Sequence, residues 1–155
     1  MSRAFVKEAE DGDTFDDIGD RPISPYPNDV TPEGLVLIEE ALERARREHA
    51  EAQAKNDRRA LAEAARDLRY WTARRSSAQV IPPPVDKEHV HFGSTVTIER
   101  DDGRTQTYRI VGEDEADISK GKLSHAAPLA RALFGKKVGE AVTVGNSEVE
   151  IVAIA

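Results

Sequence analysis

The sequence predicts an α+β protein, with an antiparallel helical hairpin leading into a small mixed module. Three observations carry this. Two consecutive stretches repeat apolar side chains at alternating spacings of three and four. A run of three prolines closes the second stretch. Beyond it, apolar and polar residues alternate around an Asp-Gly pair, the pattern of paired strands and a tight turn.

Residues 1–30 read as an acidic, disordered tail, with three basic and eight acidic residues. The stretch is rich in Asp, Gly and Pro and has no sustained period, so it offers little to bury. A calcium loop counted from Asp11 fails, because Phe15, Asp16 and Pro22 stand where an acid or amide, a Gly and a Glu are needed. The segment "RPISPYP" is expected to lie extended.

Residues 31–79 are expected to form the hairpin. Thr31, Pro32 and Glu33 make a helix start: an N-cap, a proline at the first helical position and an acid in the first turn. Leu35, Ile38, Leu42, Ala45, His49 and Ala52 form one seam, and Leu61, Ala64, Leu68, Trp71, Arg75 and Ala78 the other. One unbroken helix would leave both stripes without partners, whereas a hairpin buries each against the other. Its tip falls at Lys55, Asn56, Asp57 and Arg58. Asn56 is suited to a left-handed residue ending the first helix, and Asp57 to capping the second. Each arm then spans roughly 35 Å. His49 reads as a partly exposed seam residue, since no second ligand lies at a suitable spacing. No metal site is expected.

Residues 80–87, "VIPPPVDK", read as a stiff Pro-rich linker. Residues 88–155 read as the α+β module. "STVTIER" and "TQTYRIVGE" are its first strands, "APLARALFG" a short helix, and "EAVTVGNSEVEIVAIA" two closing strands. The expected core comprises Val96, Ile98, Tyr108, Ile110, Val111, Leu129, Leu133, Val142, Val144, Val149, Ile151 and Ile154.

Composition excludes several classes. The chain of 155 residues has no cysteine, so disulfides and thiolate metal sites are ruled out. There is no apolar run long enough for a membrane span, and the N-terminus turns acidic where a signal peptide would be apolar. A cytoplasmic monomer is expected. Net charge is −7, and residues 31–79 carry ten basic against nine acidic residues, so no dense basic patch exists. Direct sequence-specific DNA binding is therefore not expected.

The stretch "HFGSTVTIERDDGRTQTYRIVGEDE…APLARALFGKKVGEAVTV" resembles the GreA/GreB transcript-cleavage factors. Asp101-Asp102-Gly103, Tyr108 to Gly112 and Ala130 to Glu140 match that family's motifs, and "LAEAARDLRYWTARRSSAQVI" resembles its second hairpin helix. The resemblance implies a helical hairpin followed by an FKBP-like domain. It implies docking on RNA polymerase at the rim of the secondary channel, with Ser124, His125, Pro128 and Arg131 as polymerase-binding residues. In the family, an acidic hairpin tip helps the polymerase hold a magnesium ion and a water that cleave backtracked RNA. Any Mg2+ would thus belong to the polymerase, and the chain needs no cofactor and no catalytic residue of its own.

Three departures bear on that. The family's "GD.SEN..Y" tip, with its Asp and Glu, has no counterpart here. Lys55, Arg58 and Arg59 surround a lone Asp57. Alignment of both arms leaves this hairpin shorter by roughly ten residues per arm, about 15 Å at the helical rise, as in Rnk-type regulators. Ala126-Ala127-Pro128 replaces the family's Asp-Ser-Pro. The expected function is a regulator of transcription elongation that binds polymerase without stimulating cleavage. An active cleavage factor drawing carboxylates from the tail at residues 8–20 is the alternative. An FKBP-like prolyl isomerase is weaker, because the module offers only Phe92, Tyr108 and Phe134 as pocket aromatics.

Overall fold

The computed structural model describes residues 18–155, so most of the acidic tail, including Asp11, Phe15 and Asp16, lies outside the described residues. Two compact units are present. One holds Ile38–Ser77 with residues 18–25, the other Tyr26–Leu37 with Ala78–Ala155.

Two helices dominate the first unit: α1, Pro32–Ala54, whose opening turns belong to the second unit, and α2, Arg58–Ser77. At the helical rise these are roughly 35 and 30 Å long. Thr31 caps α1, its Oγ1 accepting from Gly34 N–H at 2.9 Å. Ile38, Ala41, Leu42, Ala45 and Ala52 are buried along α1, with His49 half-buried. On α2 only Ala64 and Arg74 are buried, and Leu61, Leu68 and Trp71 are half-buried.

A second face of α2 is also occupied, by the chain just before the hairpin. The Arg21 guanidinium lies 3.8 Å from the centroid of the Tyr70 ring and 5.5 Å from that of Trp71. Arg21 pairs with Asp67 at 3.4 Å, and Asp20 with Arg69 at 2.5 Å. The sequence places these residues in the expected tail, where an Asp and an Arg near prolines carry no periodic signal. Arg75, placed on the seam by the heptad reading, is exposed and 3.7 Å from Glu39. Arg74 is the buried arginine instead, at 2% exposure. It follows Asp67 and Tyr70 at spacings of seven and four, on the stripe that Arg21 meets.

In the second unit, a two-residue strand β1, Asp29–Val30, pairs in parallel with β2, Gln79–Val80. Then come β3, Thr95–Arg100; β4, Thr105–Val111; β5, Lys122–Ser124; the helix α3, Pro128–Leu133; β6, Ala141–Val144; and β7, Ser147–Ile154. The sheet order is β5-β4-β3-β7-β6, antiparallel except for the β4–β5 pair. The β3–β4 turn uses Gly103 at φ 83°, with Gly103 N–H donating to Arg100 O at 2.9 Å. Crossing from β4 to β5 takes a 3-10 turn, Ile118–Lys120, capped by Asp117.

The core is Val96, Ile98, Ile110, Val149 and Ile151 from the sheet, Leu129, Ala130 and Leu133 from α3, and Val90 and Leu123. Tyr108, Val142, Val144 and Ile154, expected inside, pack against it half-buried. The short strands β1, β2 and β5 escaped the sequence reading because two or three residues cannot display an alternation. No helix among the described residues is long and apolar enough to cross a membrane.

Candidate functional site

The hairpin tip is built by backbone geometry. Asn56 takes φ 53°, the positive-φ non-glycine among the described residues. Around it, Asn56 N–H donates to Gln53 O at 3.2 Å and Asp57 N–H to Ala52 O at 3.1 Å. That pair of bonds is a Schellman closure of α1. Asp57 then starts α2: its carbonyl accepts from Leu61 N–H at 2.9 Å and its Oδ1 from Ala60 N–H at 3.1 Å. The Asp57 carboxylate is therefore engaged as a cap. Lys55, Arg58 and Arg59 stand exposed around it, Arg59 pairing with Glu63 at 3.2 Å.

Behind the tip, within the hairpin, is a groove of about 300 Å³ that the sequence reading missed. Glu48, Glu51, Asp57, Glu63 and Asp67 line it beside Ala52 and Ala64. The signal was present: small alanines on the seam leave room, and spacings of three and four place the acids on a shared face. Glu63 and Asp67 are partnered, by Arg59 at 3.2 Å and by Arg21 at 3.4 Å respectively.

At the other candidate surface, Ser124 turns the chain into α3. Its Oγ accepts from Ala126 N–H at 3.1 Å and its carbonyl from Ala127 N–H at 3.0 Å. Pro128 is the first residue of α3, and Ala127 at the N-cap supplies no side-chain bond. His125 is buried, with its ring edge-on to Phe92 at 5.7 Å and to Tyr26 at 6.5 Å. Its Nε2 has no hydrogen-bond partner among the described residues. The Arg131 guanidinium lies 5.7 Å from the Tyr26 ring. Tyr26 thus touches both His125 and Arg131, two of the four residues expected on this surface. It comes from the segment read as tail, which is why the sequence did not join it to them.

A third group was also missed. Asp86, His89 and His91 bring one ligand atom each within 4.8 Å of one another. The spacing Asp-x-x-His-x-His is its signal in the sequence.

Residues 85–155 match the family model described as "Transcription elongation factor, GreA/GreB, C-term". Over 131 residues the chain is 38% identical to transcription elongation factor GreA of Thioalkalivibrio sulfidiphilus, covering 79% of this chain and 82% of that protein. The chain belongs to the GreA/GreB family. Against transcription elongation factor GreB of Neisseria meningitidis serogroup B, identity is 39% over 103 residues. That match spans 63% of each protein, just under two thirds of the relative's length. Among solved structures, the Gfh1 protein of Thermus thermophilus, a GreA factor homolog, is 22% identical with a TM-score of 0.41, covering 84% of this chain and 99% of that one.

Proposed function

We propose that this GreA/GreB-family chain binds RNA polymerase as a regulator of elongation and does not itself stimulate transcript cleavage. The observation that carries this is the tip. A carboxylate that helps position Mg2+ must present free oxygen ligands beyond the end of the hairpin. Asp57 instead spends Oδ1 on Ala60 N–H, with Lys55, Arg58 and Arg59 around it. A cation brought there meets those three positive charges, and a single carboxylate makes a poor magnesium shell. Arms of 23 and 20 residues, read as shorter than those of the cleavage factors, add to the same reading. Docking is assigned to the rim of the secondary channel through Ser124, Pro128 and Arg131, with the buried His125 supporting that surface from behind rather than touching the partner, and with the chain acting as a monomer.

One observation favours the rival reading, an active cleavage factor: the carboxylates of the groove behind the tip. Against it, Glu63 and Asp67 are held by arginines, and Glu48 and Glu51 sit one to two turns back from Asn56. The deciding experiment adds purified protein to core polymerase and to backtracked complexes. Expected are capture of core polymerase, weakening with Arg131→Ala, and displacement of a bona fide cleavage factor with no cleavage stimulated. Cleavage that disappears in Glu51→Gln would establish the rival.

A further inference from the structure

We infer that Asp86, His89 and His91 form a binding site for one divalent transition-metal ion of the Zn2+ or Ni2+ class. The inference is independent of the polymerase reading and rests on how the chain holds three ligand atoms together.

The segment 89–91 is fastened from both sides. Val90 is 1% exposed; its N–H donates to Lys136 O and its carbonyl accepts from Gly135 N–H, both at 2.9 Å. His89 forms an antiparallel bridge with Lys137. His91 N–H donates to the Oγ of the buried Ser94 at 2.9 Å, and Ser94 N–H returns to His91 O at 3.0 Å. With Val90 sent into the core, extended geometry directs His89 and His91 to the opposite face together. This places two imidazoles side by side on anchored backbone, the arrangement a preorganised site needs.

Asp86 supplies the third ligand. Its Oδ1 accepts from Glu88 N–H at 2.7 Å, which orients the carboxylate. Its Oδ2 lies 2.9 Å from His89 Nδ1 and 2.8 Å from His91 Nε2. The two rings thus turn different nitrogens toward one oxygen. Without an ion, each ring meets Oδ2 through an N–H. With an ion, both ring protons move to the other nitrogen, leaving a lone pair on each facing atom. Bond lengths of about 2.0–2.2 Å place tetrahedral ligand atoms about 3.4 Å apart, so Oδ2 has to draw back from each ring nitrogen by about half an ångström. The side chains of Asp86, His89 and His91 are 40%, 35% and 47% exposed, so an ion can enter and water can complete its shell.

The donor set selects the metal. Two imidazoles and one carboxylate suit Zn2+, Ni2+, Co2+ or Cu2+; Mg2+ and Ca2+ prefer all-oxygen shells. Occupancy would clamp Asp86, just after the Pro-rich stretch, to the segment that plugs Val90 into the core.

The test uses the full chain with any affinity tag removed, titrated calorimetrically with ZnCl2, NiCl2 and MgCl2. One equivalent of Zn2+ or Ni2+ is expected to bind, and Mg2+ is not. In NMR spectra the imidazole signals of His89 and His91 should shift on Zn2+ addition, with those of His49 and His125 unmoved. Asp86→Asn, His89→Asn and His91→Gln should each weaken binding by about tenfold or more, since even outer-shell partners contribute about that much. His49→Gln should bind as the parent does. Circular dichroism of each variant confirms that the fold is kept. Absence of one-equivalent binding, or binding that survives the His89→Asn, His91→Gln double variant, overturns the site.

Discussion

Thr31 and Glu115, 84 residues apart in sequence, share a buried hydrogen bond: Thr31 Oγ1 donates to Glu115 Oε1 at 2.5 Å. The same oxygen accepts from Gly34 N–H, so one hydroxyl caps α1 and satisfies a carboxylate that is only 5% exposed. Lys122 approaches Glu115 Oε2 at 3.6 Å and supplies the opposite charge. Thr31→Val keeps the shape and removes both bonds. It should destabilise the protein by about 2–3 kcal/mol, roughly 1 from the cap and the rest from a buried carboxylate left short of a donor. Thr31→Ser keeps the hydroxyl and should cost under about 1 kcal/mol. Urea unfolding of the pair measures the difference; equal losses would show that the hydroxyl contributes nothing.

Gly112 tests the attachment of β1. A Cβ there would stand 2.6 Å from the backbone oxygen of Asp29, which cannot swing aside as a side chain would. Gly112→Ala should therefore displace the β1–β2 pair at about 1–3 kcal/mol. The amides of Gln79 and Ile81, which donate to Asn28 O and Val30 O at 2.9 and 2.8 Å, should exchange faster with solvent. Gly34→Ala would put a Cβ 2.8 Å from the Glu115 Oε1 that Thr31 holds, so disturbance of that buried bond should offset the gain of up to about 1 kcal/mol in helix propensity.

Why the sequence revealed the hairpin and sheet but not these attachments is a matter of range. Helix periodicity, the Thr31-Pro32 start, the Asp-Gly turn and the alternation in β3, β4 and β7 are local signals, each readable in a short window. Asn56 and Asp57 were legible for the same reason: a left-handed residue and a cap are properties of adjacent positions. Arg21 over Tyr70, Tyr26 beside His125 and Arg131, and Thr31 with Glu115 join distant segments through single side chains. No periodicity encodes them. The Asp86, His89, His91 group lies between these cases. Its spacing was visible, while the convergence of two different ring nitrogens on one oxygen needed the backbone path.

Asp117 gives a pH prediction. Its carboxyl is held below the usual value of 3.8, chiefly by the Ser119 hydroxyl, which donates to Oδ1 at 2.5 Å, with Ser119 N–H adding a bond at 3.1 Å. A carboxyl lowered on folding contributes stability above its unfolded pKa and loses it as pH falls through the folded value. The 3-10 turn at Ile118–Lys120 should therefore loosen below about pH 4. Ser119→Ala removes the main donor and should move the Asp117 titration upward, toward 3.8. An NMR titration of the Asp117 carboxyl checks this; an unmoved midpoint would assign the shift to the backbone N–H groups and the Lys120 charge.

The tip separates stability from chemistry. Asn56 holds φ 53°, which glycine adopts without strain and a β-branched residue resists. Asn56→Gly should leave stability within a few tenths of a kcal/mol, whereas Asn56→Val should lose about 1–2 kcal/mol. Asp57→Ala removes the bond to Ala60 N–H and should lose about 1 kcal/mol. If Asp57 serves α2 as a cap and nothing else, Asn56→Val and Asp57→Ala should each lower the denaturation midpoint while transcript cleavage by added polymerase stays at the polymerase's own rate. A cleavage rate that follows Asp57→Ala but not Asn56→Val would mean that the carboxylate acts beyond the hairpin, and the tip would have to be reassigned to chemistry.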